Sequence, residues 1–139
     1  MDNTTTKINI LDFLPDELGS VMEELGEKKF RATQVFGWLS KGISSFDEMN
    51  NVPKSLRDKL DDAYYIGQTE AAAVQRSKDG TVKCLFRFRD GAEIESVFMK
   101  YSYGNSICIS SQVGCRMGCS FCASTMDGLE RGLSGGEML

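Results

Sequence analysis

The chain has 139 residues, a net charge of −4, no histidine and five cysteines. That length holds one compact domain, or a small domain and part of another, and excludes a complete α/β barrel, which needs about 200 residues or more. Without histidine there is no Ser-His-Asp or Cys-His catalysis and no His-ligated metal, and the acidic balance argues against nucleic-acid binding by bulk charge.

The opening residues, MDNTTTKINILDF, lack the basic start and long apolar core of a secretory leader, and no run approaches ~18 apolar residues. The expected setting is the cytoplasm, away from membranes, where cysteines serve as thiols or metal ligands. The first half reads as helices. Leu14, Leu18, Val21, Met22 and Leu25 fall on one face of a 3.6-residue period, with Pro15 in the first turn and Gly26 at the stop. Ala32, Val35, Phe36 and Leu39 make a second stripe closed by Gly42. Ser45 and Glu48 have capping-box spacing, and Val52, Leu56 and Leu60 make a third stripe behind Pro53. A helical unit over 1–66 is near the lower size limit for a stable core. It also carries the whole net charge, so any nucleic-acid contact must come from a local patch.

The period then changes. Residues 69–76 and 81–89 read as strands around the turn Lys78-Asp79-Gly80. Val82, Cys84, Phe86 and Phe88 alternate onto one face, expected to be buried, opposite Lys83, Leu85, Arg87 and Arg89. Asp90-Gly91 is a second turn, 92–99 a third strand and 105–110 a fourth. Lys83, Arg87 and Arg89, with Lys54, Arg57 and Lys59 on a helix, are candidate phosphate contacts. Trp38 reads as core or interdomain packing. From Ser111 the chain is rich in Gly, Ser and Cys and reads as a loop. Ser134 caps a final helix beginning at Gly135, and the sequence reads as cut short there. The expected organisation is 1–66 helical, 67–104 a β-hairpin region, and 105–139 a third segment holding the cysteine loop.

That loop carries Cys115, Cys119 and Cys122, spaced C-x3-C-x2-C within eight residues. Three thiolates this close suit one soft metal centre better than a disulfide framework. Gly114 and Gly118 let the backbone bend around it. A [4Fe–4S] cluster held by three cysteines keeps one iron without a protein ligand, free to take the amino and carboxylate groups of S-adenosylmethionine. The competing reading is a structural zinc site with Cys84 or Cys108 as fourth ligand. Cys84 otherwise reads as a small core residue, Cys108 as strand packing, and Glu95 as a solvated carboxylate.

The words CISSQVGC and FCAS around the three cysteines, with GEKKFRATQVFGWLSKGISSFDEMNNVPKSLRDKL and TVKCLFRFRDGAEIESVFMKY before them, resemble the RlmN family of radical SAM enzymes. The resemblance covers nearly the whole chain. It implies an α+β fold: a helical accessory domain, a β-hairpin region, and the opening of a truncated (β/α)6 radical SAM partial barrel. It implies methylation of adenine C2 in 23S rRNA and tRNA, a [4Fe–4S] cluster, S-adenosylmethionine, an electron donor and a monomeric enzyme. By the same resemblance Cys115, Cys119 and Cys122 ligate the cluster, Cys108 is a catalytic cysteine, and Glu95 matches a proton acceptor. Which of Glu95 and Cys108 takes the ring proton stays open at this point. The family reaction passes through a methyl-cysteine and a covalent protein–RNA adduct. The methyl-accepting cysteine and the Gly-Glu-Pro word that holds the SAM amino group have no counterpart in the 139 residues, so the chain alone is expected to be inactive. Gly135-Gly136-Glu137 matches instead the start of the family's post-cluster helix, and Arg131-Gly132-Leu133 lacks the family's Asn. The sister family Cfr, which methylates adenine C8, is the alternative within this chemistry. A non-enzymatic zinc or iron–sulfur RNA-binding module is the alternative outside it.

Overall fold

The computed structural model describes residues 7–139. They mix helices and sheets, the expected α+β class, and divide into two compact units, one ending at Gly67 and one over Gln68–Met138.

The first unit is helical. Helix α1 (Pro15–Glu24) starts on Pro15, whose missing N–H costs nothing in a first turn. The Leu14 N–H donates to the Glu17 carboxylate at 2.7 Å. Gly26, at φ +74°, lets the chain leave the helix. Helix α2 (Arg31–Leu39) and helix α3 (Lys54–Ala63) follow, with a 3-10 turn at Phe46–Glu48 between them. The Ser45 and Glu48 capping box forms on that turn: the Asp47 N–H donates to Ser45 Oγ at 3.2 Å and the Ser45 N–H to Glu48 Oε1 at 3.0 Å. All three apolar stripes meet in one core, where Leu18, Met22, Val35, Leu56 and Leu60 are fully buried together with Ile10 and Met49. Two stripe members stay outside. Leu14 is exposed because it precedes the helix in extended backbone, and Phe36 because it sits 100° round from Val35. Trp38 packs partly against the core, and its Nε1 donates to Asn51 Oδ1. A short parallel pair, β1 (Ile8–Asn9) with β2 (Tyr64–Tyr65), ties the two ends of the unit. Asn9 is buried but satisfied, its Oδ1 accepting the N–H groups of Leu11 and Gly67.

The second unit is an antiparallel sheet in the order β3 (Glu70–Arg76), β4 (Val82–Arg87), β5 (Glu93–Tyr101) and β6 (Gly104–Ile109). Gly80 and Gly91 take the positive φ their turns require. Register places Val82 opposite Phe98 and Cys84 opposite Ser96, with Phe86 opposite Ile94, on one face. Lys83, Leu85 and Arg87 share the other face with Glu95, Val97 and Cys108. The first face is less buried than its alternation predicts. It is covered only near the Asp90-Gly91 turn, where Phe88, Ala92, Ile94 and Val113 form a small core with Phe86 and Leu133. Towards the other end Val74, Ile107 and Ile109 are exposed and Cys84 is half-buried.

The segment after Ser111 is more ordered than its composition predicts. Strand β7 (Gln112–Gly114) pairs antiparallel with β8 (Leu129–Gly132), and helix α4 (Gly135–Met138) follows. Ser134 caps α4 as expected, its Oγ accepting the Glu137 N–H at 3.3 Å while Glu137 accepts the Ser134 N–H at 2.9 Å.

Candidate functional site

The β7–β8 ladder closes the neck of a loop over 115–128 that holds all three clustered cysteines. The Cys115 N–H donates to the Gly128 carbonyl at 2.9 Å. Thr125 cross-braces the loop: its Oγ1 accepts the Gly118 N–H at 2.7 Å and donates to the Cys115 carbonyl at 3.1 Å. Gly114 is required at the neck. It sits at φ +71°, and a Cβ there would lie 2.0 Å from the Gly128 carbonyl oxygen.

Cys115, Cys119 and Cys122 are free thiols, each half-buried. The Cys122 N–H donates to the Cys119 carbonyl at 3.1 Å, so a tight turn links the last two. Among the described residues no three of His, Cys, Asp or Glu converge on a common point. The donor set nonetheless fits a thiolate-ligated centre: three unpaired soft donors on one closed loop, with no disulfide competing for them. Phe121, Met117 and Met126 on the same loop are strongly exposed.

Cys108 and Glu95 lie on adjacent strands and on the same face, one pairing step apart, since Cys108 faces Val97 across the ladder. Cys108 is exposed. The Glu95 carboxylate accepts Lys83 Nζ at 2.9 Å, and the Glu95 carbonyl accepts Ser110 Oγ at 2.8 Å. Cys84 is on the opposite face of the sheet, so Cys84 and Cys108 do not point to one site. The cations singled out as phosphate contacts are largely engaged. Lys83 pairs with Glu95, Arg87 with Glu70 and Glu93, Arg57 with Asp47, and Lys59 with Glu27.

Arg131 is a residue whose importance the sequence reading missed. Its guanidinium holds Glu137 through two parallel bonds of 2.8 and 2.9 Å and Asp90 through Nε at 2.8 Å, above the Phe88 ring. It therefore pins β8 and the start of α4 to the Asp90 turn, and with them the neck of the cysteine loop. The Arg131 bonds are the main cause holding the Glu137 carboxyl below its ordinary range. Asp90 is also lowered, first by the Ala92 N–H and then by Arg131, while Arg131 is raised, chiefly by Glu137. The Ser134-to-Glu137 spacing was the available signal for half of this cluster; Asp90, 41 residues away, gave none.

Residues 8–66 match the family model of the ribosomal RNA large subunit methyltransferase N-terminal domain. A probable dual-specificity RNA methyltransferase RlmN from Bacillus velezensis is 50% identical over 136 residues, covering 97% of this chain and 38% of that protein. One of the same description from Clostridium acetobutylicum is 54% identical over 132 residues, covering 94% and 38%. A crystal structure of a radical SAM methyltransferase from Sphaerobacter thermophilus superposes with a TM-score of 0.84 at 38% identity, over 94% of this chain and 39% of that one. The chain thus spans about two fifths of the length of the relatives it matches.

Proposed function

We propose that the chain, which is similar to proteins of the RlmN family, supplies the helical accessory unit and the cluster-binding loop of a radical SAM enzyme that methylates adenine C2 in 23S rRNA and tRNA. The observation that carries this reading is the braced loop: three free thiols in C-x3-C-x2-C spacing, on a neck that tolerates only glycine at 114. In this reading sequence boundaries near 66 and 104, the latter within the second compact unit, separate the accessory domain, the hairpin region and the start of the barrel. The enzyme acts as a cytoplasmic monomer with an external electron donor.

Cys115, Cys119 and Cys122 would hold a [4Fe–4S] cluster, and S-adenosylmethionine would bind beside it. When bound, the pair supplies the one-electron chemistry that activates a methyl group. The chain's own residues do the rest of what it contributes. The β7–β8 neck and Thr125 hold the thiols on a closed loop. Cys108, exposed on β6, is the nucleophilic thiol that releases product, and Glu95, one pairing step away, takes the adenine ring proton. Lys83 orients the Glu95 carboxylate. Both groups lie on one sheet face, the side from which one bound substrate would meet both.

The test is a chimera in which these 139 residues replace the matching segment of an RlmN relative, expressed in cells lacking that activity. Nucleosides from 23S rRNA and tRNA should contain 2-methyladenosine. 8-Methyladenosine would establish the Cfr-like alternative, and neither product would overturn the assignment. The Cys108→Ala chimera should keep its iron but accumulate protein with RNA attached; loss of iron would make Cys108 a ligand instead.

A further inference from the structure

The sheet has a second end, about 20 Å along the strands from the Asp90 turn, that the reading above leaves unused. There the β3–β4 turn and the β5–β6 turn lie side by side, since Val82 pairs with Phe98 and a Cβ placed on Gly80 would lie 3.9 Å from the Lys100 side chain. Tyr101 and Tyr103 stack at this tip with ring centroids 5.0 Å apart and planes 7° from parallel. The Tyr101 hydroxyl donates to Met99 Sδ at 3.3 Å, which steadies the inner ring. Tyr103 is 84% exposed, so its outer face is bare. A two-ring stack with one open face is a stack that a third planar ring can extend.

The charges beside it point to the ligand. Arg76, Lys78 and Lys100 gather at this end, and none has an acidic partner among the described residues, whereas Lys83 and Arg87 further along the sheet are paired. The turn's acid, Asp79, is committed to the Thr81 N–H at 2.9 Å. A net acidic chain therefore carries a local excess of unpaired cations around an open aromatic face, the combination that binds single-stranded nucleic acid. We propose that Tyr103, backed by Tyr101, is a stacking platform for an unpaired base of the RNA substrate, with Arg76, Lys78 and Lys100 contacting flanking phosphates. This deepens the RNA-directed reading above and rests on it.

The test is binding of the 139-residue chain to a fluorescein-labelled single-stranded RNA ten nucleotides long, followed by anisotropy across a salt series. Tyr103→Ala should weaken binding by about tenfold, while Tyr103→Phe stays within about twofold. Lys78→Gln and Lys100→Gln should each lower the slope of log affinity against log salt by about 0.7, whereas Tyr103→Ala leaves that slope unchanged. Tyr103→Trp should bind as the parent and lose indole fluorescence as RNA is added. Should Tyr103→Ala alter the circular dichroism, Tyr103→Leu takes its place, with the same loss expected. Parent-like affinity in Tyr103→Ala, equal weakening in the Ala and Phe variants, or no RNA binding by the parent chain overturns the platform. The chimera's methylated product reports separately, so an active chimera with indifferent Tyr103 variants sinks the platform alone.

Discussion

The helical unit and the sheet unit stabilise themselves by different means. Among the described residues the helical unit buries thirteen apolar side chains in a continuous core, seven of them with almost no exposure. The sheet unit buries four, all near the Asp90 turn, and leaves much of one face and the cysteine loop's apolar side chains open. What a core does for the first, a polar clasp does for the second: Arg131 with Glu137 and Asp90, Thr125 across the loop, and the short β7–β8 ladder. The candidate site sits on the side with the thinner core, where backbone geometry and a few charged bonds set the position of the thiols.

The sharpest way to break this contrast is in the helical core. Leu56→Ala should cost about 2–5 kcal/mol, read from chemical denaturation of the helical signal, because a fully buried side chain leaves a cavity. Gly114→Ala should do most of its damage in the other unit. Its Cβ would meet the Gly128 carbonyl at 2.0 Å, so the loop neck must open, and amide exchange over 112–132 should rise while the helices keep parental protection. Arg131→Ala should cost about 1–2 kcal/mol, confined to the same segment, since the guanidinium is only partly screened from water.

That last effect is pH-dependent, and its sign follows from the carboxyls. Glu137 and Asp90 both have lowered values in the folded chain. Their contribution is therefore complete above the ordinary carboxylate range of about 4 and disappears as pH falls through the lowered values. Protection factors over 112–138, taken relative to the intrinsic exchange rate at each pH, should fall in acid in the parent chain, and the gap between parent and Arg131→Ala should close. The smallest effect belongs to the open face: Ile107→Thr should change stability by no more than about 0.5 kcal/mol, because Ile107 is already exposed.

The same contrast governs what could be read in advance. The three helices were legible because burial follows a 3.6-residue period, and Leu18, Val35 and Leu56 reached the core as their stripes predicted. The four strands and both glycine turns were legible from alternation and turn chemistry. The β7–β8 ladder was not, since a three-residue strand in a Gly- and Ser-rich run has no periodicity to show. The Arg131 clasp was half hidden because it joins residues 41 apart. The pairing of the basic face was hidden for a related reason: Lys83 and Arg87 alternate as expected, but their cross-strand acids, Glu95 and Glu93, are invisible until register is known. At the candidate site, the cysteine spacing named the candidate donors, while the common face of Glu95 and Cys108 emerged only from strand pairing.

The most direct measurement is the metal and sulfide content of the chain after anaerobic reconstitution with iron and sulfide. The proposed role of the loop predicts about four iron and four sulfide per chain, falling to near zero in Cys115→Ala, Cys119→Ala or Cys122→Ala and unchanged in Cys84→Ala and Cys108→Ala. One zinc per chain without sulfide, or iron retention that depends on Cys84 or Cys108, would contradict it.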